Sequence, residues 1–146
     1  MFTRIFLFLV FLLLPMVMQA QSGLNINQVF QGKVVPISRM VETRVRGRAI
    51  SKYKLSYYRS ARMTLSENET MQIRSLFDKD CLSALDEKIS RKGKNYENSV
   101  ICLPVKAGIN RFLCLQFNVE GDKYKVTIVY MEGQISSLKE LRKLLK

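Results

Sequence analysis

Three apolar runs close together in the second half of the chain constrain the fold most. They are Val100–Leu103, Phe112–Phe117 and Tyr124–Met131, and short segments containing Gly108 and Gly121 separate them. Short apolar runs joined by glycine-containing connections are typical of antiparallel strands in a meander. The third run also alternates between apolar and polar residues, as a half-buried strand does. The sequence therefore predicts three consecutive antiparallel strands between residues 99 and 133.

Two further strands are predicted in the first half, after a short helical turn within Asn25–Val35. Residues Met40–Arg46 alternate in polarity, and Gly47 ends that segment. Residues Tyr53–Leu65 form the longest strand candidate, in which Arg59 falls on the otherwise apolar side. A charged residue at such a position indicates either a β-bulge or an arginine paired with a carboxylate beneath a helix.

Helices are predicted where a capping signal precedes apolar residues spaced three and four apart. Ser66 and Glu69 form the pattern of a capping box, and the apolar spacing after them continues to Ile89. The basic, glycine-containing segment Arg91–Asn95 is typical of a helix end. The capping pattern recurs at Ser137–Glu140, before a short terminal helix.

These elements predict an α+β domain. We expect an antiparallel sheet of about five strands in the order strand, strand, helix, three-strand meander, helix, with the helices packed on one face. The sequence has no internal repeat and no linker-like composition. Residues 21–146 are therefore predicted to form a single domain.

Residues 1–20 have the layout of a secretory signal peptide. Arg4 precedes an apolar run from Ile5 to Met18, and Ala20 stands before Gln21. The run is short for a membrane span, so cleavage near Ala20/Gln21 is expected. The sequence thus predicts export to the periplasm or the extracellular space, with membrane attachment only through this segment if it is not cleaved.

The predicted mature chain is strongly basic, and its charge is unevenly distributed. It keeps 23 of the 24 Lys and Arg residues and all 12 acidic residues, a formal charge of +11. Between Lys33 and Arg62 there are nine basic residues and one acidic residue, Glu42. Such asymmetry bears on partners rather than on fold. It favours an anionic envelope component or an acidic protein surface as the partner, and nothing indicates specific nucleic-acid recognition.

No catalytic, metal-binding or cofactor-binding pattern is present in the sequence. The chain has no histidine, which removes His-dependent nucleophile pairs and the usual imidazole metal ligands. It also lacks a Gly-rich phosphate loop of either common spacing. We therefore expect a protein that is not an enzyme and that uses no cofactor or metal.

Three cysteines in an exported chain raise the question of a disulfide. With a turn centred on Gly108, Cys102 and Cys114 would lie opposite each other in a hairpin, where a cross-strand disulfide could form. Cys81 lies in the apolar stripe of the predicted helix and is expected to be a small buried residue.

One cluster suggests a binding site. Arg44 and Arg46 share a face of the first strand, and Lys54, Tyr58 and Arg62 share the polar face of the second. If both faces lie on the same side of the sheet, they form a positive surface with an aromatic ring at its centre. Arginine suits phosphate or carboxylate groups, which predicts anion binding. The competing interpretation is an ordinary solvated face.

An alternative function stays open beside anion binding. The chain could be an accessory protein-interaction subunit of an envelope complex, docking through a sheet edge or through apolar residues around Val29 and Phe30. Polyanion binding should weaken steeply with salt, whereas an apolar protein contact should not.

The sequence resembles a family of small exported Bacteroidetes proteins that is catalogued as a domain of unknown function. The similar patches are Ile26–Phe30, Met40–Thr43 with Val45 and Gly47, Leu55–Ser60 and Tyr130–Gly133. The resemblance implies export and a bacterial envelope setting. It implies no activity and no site residues.

Overall fold

Six antiparallel strands form one sheet in the computed structural model, which describes residues 23–144. The predicted signal segment lies outside the described residues. The strands are β1 (Val41–Arg46), β2 (Leu55–Leu65), β3 (Asp86–Lys92), β4 (Tyr96–Lys106), β5 (Ile109–Glu120) and β6 (Lys123–Gly133). The helices are α1 (Asn27–Phe30), α2 (Glu67–Cys81) and α3 (Leu138–Leu144), and 3₁₀ segments span Ile37–Arg39 and Gly47–Tyr53.

The strand order in the sheet is β1-β2-β6-β5-β4-β3. The α+β class and the β4-β5-β6 meander predicted from the sequence are confirmed, whereas the expected number of strands was one too few. The pairing of β2 with β6 places the two halves of the chain side by side at the centre of the sheet.

The additional strand is β3, which replaces the predicted end of the long helix. Helix α2 ends at Cys81, and residues 86–92 pair with β4 through a turn at Gly93, whose φ is +64°. Leu85 and Ile89 continue the helical spacing of α2, but they are 64% and 46% exposed. The prediction was wrong because a short strand next to a glycine turn can repeat the helical spacing by chance.

The sheet has two differently covered faces. On the first, called the helix face, α2 packs Ile73, Leu76 and Phe77 against the sheet, and α1 adds Val29 and Phe30. The sheet side chains in this core come from all strands except the two at the edges: Tyr57, Ala61, Met63, Leu65, Ile101, Leu103, Leu113, Leu115, Phe117, Val126, Ile128 and Tyr130.

The second face, called the open face, carries α3 at one end only. Leu138 and Leu141 of α3 form a separate core cluster with Leu55, Phe112 and Met131. The prediction that all helices pack on one face was therefore wrong. The apolar side chains of Phe112 and Met131 point away from α2, and α3 removes them from water.

Two local predictions are confirmed in atomic detail. The Ser66 hydroxyl accepts a hydrogen bond from the Glu69 backbone, and the Glu69 carboxylate accepts one from the Ser66 backbone, which completes the capping box. Arg59 is buried on the helix face, where its Nε donates to Glu42 Oε1 at 2.6 Å and its guanidinium lies 4.4 Å from the centre of the Phe30 ring. It is paired with a carboxylate, one of the two arrangements expected for it.

The segment before β1 is fixed to the far end of α2. Asp80 is buried, and its carboxylate accepts hydrogen bonds from the backbone N–H groups of Asn25 and Ile26 at 2.7 and 2.9 Å. The attachment places Val29 and Phe30 inside the core, at 0% and 3% exposure. These two residues are therefore not available as the docking patch considered from the sequence.

No helix within residues 23–144 has the length and apolar character needed to span a bilayer.

Candidate functional site

The structure separates the five residues predicted to bind anions. In the β1–β2 ladder, Arg44 lies opposite Arg59 and Arg46 lies opposite Tyr57, so both β1 arginines project on the helix face. Arg44 donates to Glu42 Oε1 at 2.7 Å, and the Arg46 guanidinium lies 4.5 Å from the centre of the Tyr57 ring. The proposed common surface required the opposite register, and this part of the prediction is corrected.

The remaining three residues lie on the other side or at its margin. Lys54 precedes β2 in a left-handed conformation, with φ of 58°, and its Nζ lies 2.6 Å from Glu140 Oε1 of α3. Tyr58 and Arg62 project on the open face. Among the described residues, no ion pair or hydrogen bond involves the Arg62 side chain. Only Tyr58 and Arg62 of the predicted cluster thus remain on one surface without being tied to an acid.

A groove on the open face combines an apolar floor with a cationic rim. It has a volume of about 330 Å³ and lies between α3 and the sheet. The floor consists of Val100, Val129, Met131, Leu138 and Leu141. Tyr58, Lys88, Ser90, Asn98, Cys114, Gln116 and Arg142 complete the lining.

A second depression of about 500 Å³ shares Lys88, Leu138 and Arg142 with this groove. Its other lining residues are charged: Asp86, Glu87, Lys139 and Lys143. Arg142 of α3 and Lys88 of β3 therefore border both depressions, whereas Lys139 and Lys143 line only the second. The groove offers an apolar ligand segment a floor, and it offers an attached anionic group two cations, Lys88 and Arg142.

The polar side chains of the groove differ in whether they already make hydrogen bonds within the protein. The Cys114 thiol lies 2.9 Å from Asn98 Oδ1, and burial raises its pKa to about 12. It is therefore a neutral hydrogen-bond donor and not a nucleophile at ordinary pH. In contrast, the side chains of Lys88, Gln116 and Arg142 make no hydrogen bond or ion pair with the other described residues. These three are free to contact a ligand.

A third depression of about 480 Å³ continues the open face toward Arg62. Gln116 lines both this depression and the groove, so one polar surface runs from α3 to the far ends of β2 and β6. Two of its cations are already paired, Arg39 with Glu69 at 2.7 Å and Lys125 with Glu120 at 3.1 Å. Among the described residues that line this depression, Arg62 is therefore the cation that makes no ion pair.

The predicted disulfide is absent. Cys102 lies opposite Phe112, and Cys114 lies opposite Val100, so the two cysteines are diagonal neighbours rather than a pair. A register shift between Leu103 and Lys106 moves the ladder away from the expected register. Diagonal positions are about 7–8 Å apart, beyond the usual span of a disulfide. All three cysteines are free thiols.

The sequence interpretation missed most of the groove. Lys88 was assigned to a helix, and Arg142 received no role, although the glycine-containing segment Gly93–Asn95 is also a turn signal that can connect two strands. No local sequence pattern predicts that α3 packs on the open face, because its position depends on which side of β5 and β6 remains uncovered. Within residues 23–144, no group of three or more Cys, Asp or Glu side chains is placed to hold a metal ion.

Comparisons with known proteins show the family to which the chain belongs. No curated protein matches the sequence. Among solved structures, the thermo- and acido-stable ORF-99 from the archaeal virus AFV1 aligns over 75% of this chain and 87% of its own, with 10% identity and a TM-score of 0.33. The profile of a family of unknown function, DUF6108, matches residues 13–145. The chain belongs to this family.

Proposed function

We propose that this protein is an exported, non-enzymatic binding module that holds an amphipathic anion in the groove between α3 and the open face. The observation that carries the proposal is the combination of a five-residue apolar floor with Lys88 and Arg142, two cations that make no ion pair with a described acid. A purely polar anion would leave the half-buried Val100 and Val129 of the floor in water. A purely apolar ligand would leave the rim cations without a partner.

The dimensions and chemistry of the groove fit such a ligand. Its volume of about 330 Å³ lies at the lower end of the range of small-molecule sites. Val129 and Met131 contact α3 from the sheet side and would line an acyl chain or a ring. The guanidinium of Arg142 can form paired hydrogen bonds with phosphate or carboxylate, and Lys88 adds a compact charge.

The charge of the whole protein supports the same ligand class. A formal charge of +11 on the predicted mature chain attracts anions from a distance and raises their association rate. Together with the predicted export, this favours lipids or acidic glycans of a bacterial envelope as the source of the anion. The binding residues that we propose are Tyr58, Lys88, Arg142 and, further along the open face, Arg62.

Calorimetric titration with three probes tests the proposal. Protein produced from the full-length sequence is titrated with dodecyl phosphate below its micelle concentration, with inorganic phosphate and with dodecyl maltoside. We expect dodecyl phosphate to bind most tightly, because it alone satisfies both the floor and the rim. Its affinity should fall as salt is raised, since part of the binding is electrostatic.

Matched variants locate the binding in the groove. The K88Q/R142Q variant removes both rim cations and should lower the affinity for dodecyl phosphate at least tenfold. The K33Q/K79Q variant removes the same charge from exposed positions away from the groove and should bind within about twofold of the unmodified protein. Equal affinities for the two variants, or equal binding of dodecyl maltoside and dodecyl phosphate, would contradict the proposal.

An accessory role in protein interaction is the second candidate, and one observation favours it. The outer edge of β3 is exposed along its whole length, as docking through a sheet edge requires. Capture of a protein partner that survives high salt and is lost on D86K/E87K substitution, but not on K88Q/R142Q substitution, would favour this function instead.

A further inference from the structure

Strand β3 ends the sheet with a regular and uncovered edge. All seven of its residues, Asp86–Lys92, are exposed. Its pairing with β4 runs from Asp86 to Lys92 without a bulge, and no described strand lies on its outer side. The edge contains no proline. Such an edge presents a row of unpaired backbone N–H and C=O groups to any strand that can align with it.

The order of charges along β3 is self-complementary. The strand begins with the acids Asp86 and Glu87, has Ile89 at its centre and ends with the bases Arg91 and Lys92. When the strand pairs antiparallel with a second copy about Ile89, each Asp86 faces Lys92 and each Glu87 faces Arg91 of the other copy. Opposite charges that face each other across strands stabilise the pairing. A parallel alignment would place like charges together.

We infer that two copies of the protein associate through β3 about a two-fold axis at Ile89, which makes a continuous twelve-stranded antiparallel sheet. A two-fold interface requires a self-complementary surface, and the charge order of β3 supplies one. The pairing also covers Ile89, which is 46% exposed, with Ile89 of the second copy. Leu85, which is 64% exposed, comes to lie opposite the glycine turn at Gly93 of the second copy.

Strand β3 differs in two ways from edge strands that are protected against pairing with another chain. Protected edges carry prolines, bulges or charged side chains, lysine above all. Strand β3 has charged side chains, including Lys88 in its first half, but it has no proline and no bulge, and its terminal charges complement those of a second copy. The other edge strand, β1, differs as well. Its one acid, Glu42, is already bound by Arg44 and Arg59, at 2.7 and 2.6 Å. Two arginines hold Glu42, whereas Arg91 of β3 makes one ion pair, with Glu97 at 3.1 Å, and its side chain is 62% exposed, so it can also reach Glu87 of a second copy.

The dimer brings the two grooves together, although it does not depend on any ligand. Lys88 and Ser90 line the groove, and in the inferred register Lys88 of one copy faces Ser90 of the other. The rims of the two grooves therefore meet at the two-fold axis. A seven-residue edge spans about 23 Å and is a small interface, so we expect a dissociation constant on the order of micromolar or weaker.

Charge exchange tests the pairing. Protein produced from the full-length sequence is measured by sedimentation velocity between micromolar and submillimolar concentrations at physiological salt. The D86K/E87K variant places bases opposite bases, and the R91E/K92E variant places acids opposite acids, so each alone should stay monomeric. Mixed in equal amounts, the two variants restore every opposite-charge contact and should form a heterodimer.

The control D78K/D122K carries the same charge change as the first variant at exposed positions outside β3 and should dimerise like the unmodified protein. Monomeric behaviour of the unmodified protein at all concentrations would overturn the inference. A dimer that D86K/E87K leaves intact, or a variant mixture that stays monomeric, would overturn it equally.

A single cysteine tests the register. I89C places two thiols at the two-fold axis, so mild oxidation should give a covalent dimer on a non-reducing gel. L85C places its thiol opposite Gly93 of the second copy and should give at least fivefold less covalent dimer than I89C. Equal cross-linking of both variants would show that the copies do not meet in this register.

Discussion

At the scale of single residues, Gly133 marks the tightest point of the fold. A Cβ atom at this position would lie 2.2 Å from the Lys54 carbonyl oxygen and 2.9 Å from the Leu55 Cα. The Lys54 carbonyl accepts a hydrogen bond from the Gln134 N–H at 2.9 Å, which holds the two chain segments together. The register of β2 against β6 shifts at the same place, between Leu55 and Tyr57. Any side chain at Gly133 therefore displaces backbone rather than a flexible side chain.

The Gly133→Ala variant should be destabilised by about 3 kcal/mol or more, since backbone overlap of this kind is among the most costly substitutions. Gly47→Ala is the control, because Gly47 has φ of +74° but a methyl group added there would have nothing within 4 Å. The free energy of unfolding of this variant should fall by only about 1 kcal/mol, which is the cost of the left-handed conformation for a residue with a side chain. Urea unfolding gives both values, and similar losses for the two variants would contradict the steric explanation.

Predictions from the sequence succeeded at residue scale where the interaction was local. Ser66 and Glu69 are three positions apart, so their capping box follows from the sequence alone. The side of the sheet on which Arg44 and Arg46 project depends on the pairing with β2, and a shift of one residue reverses it. The alternation of β1 showed that these arginines share a face, but it contained no information on which face.

At the scale of elements, the N-terminus of α2 depends on charge. The Glu69 carboxylate accepts hydrogen bonds from Arg39 and from the Ser66 backbone, and these hold its pKa at about 2, below the ordinary value of 4.5. A carboxyl whose pKa is lowered by folding contributes stability above its unfolded pKa. The contribution is lost as the pH falls toward the folded value.

The E69Q variant should have a lower urea midpoint than the unmodified protein at pH 7. Glutamine can keep the capping box but loses the ion pair with Arg39. The difference should shrink as the pH falls from 4.5 to 2, because the native carboxyl becomes protonated in that range. A difference that is constant over this range would show that the charge of Glu69 is not responsible. D122N, at an exposed turn, is the control and should behave like the unmodified protein.

The register of the β4–β5 hairpin has a chemical consequence for the thiols. Because Cys102 and Cys114 are diagonal neighbours and burial raises the pKa of each, we expect neither to oxidise to a disulfide in the native state. Mass spectrometry after copper-catalysed oxidation should find the two unlinked in native monomer. Rapid alkylation of Cys114 should require denaturant. A native Cys102–Cys114 disulfide would contradict the observed register.

At the scale of the whole molecule, the α+β class followed from the sequence, but the order of the strands did not. The meander β4-β5-β6 is built from neighbours, and its turns at Gly108 and Gly121 are visible in the sequence. The contact of β2 with β6 joins segments about seventy residues apart. No local pattern specifies such a pairing, and the open face with its groove exists only because of it.

The same pairing also sets the time at which the protein can fold. Strand β2 has β1 on one side, but its other partner is β6, which ends at Gly133. The core under α2 therefore lacks Val126, Ile128 and Tyr130 until the residues of β6 have been synthesised. Long-range pairing of this kind slows folding. Until β6 is made, β2 therefore has one edge without its partner strand, and this edge is open to pairing with other chains.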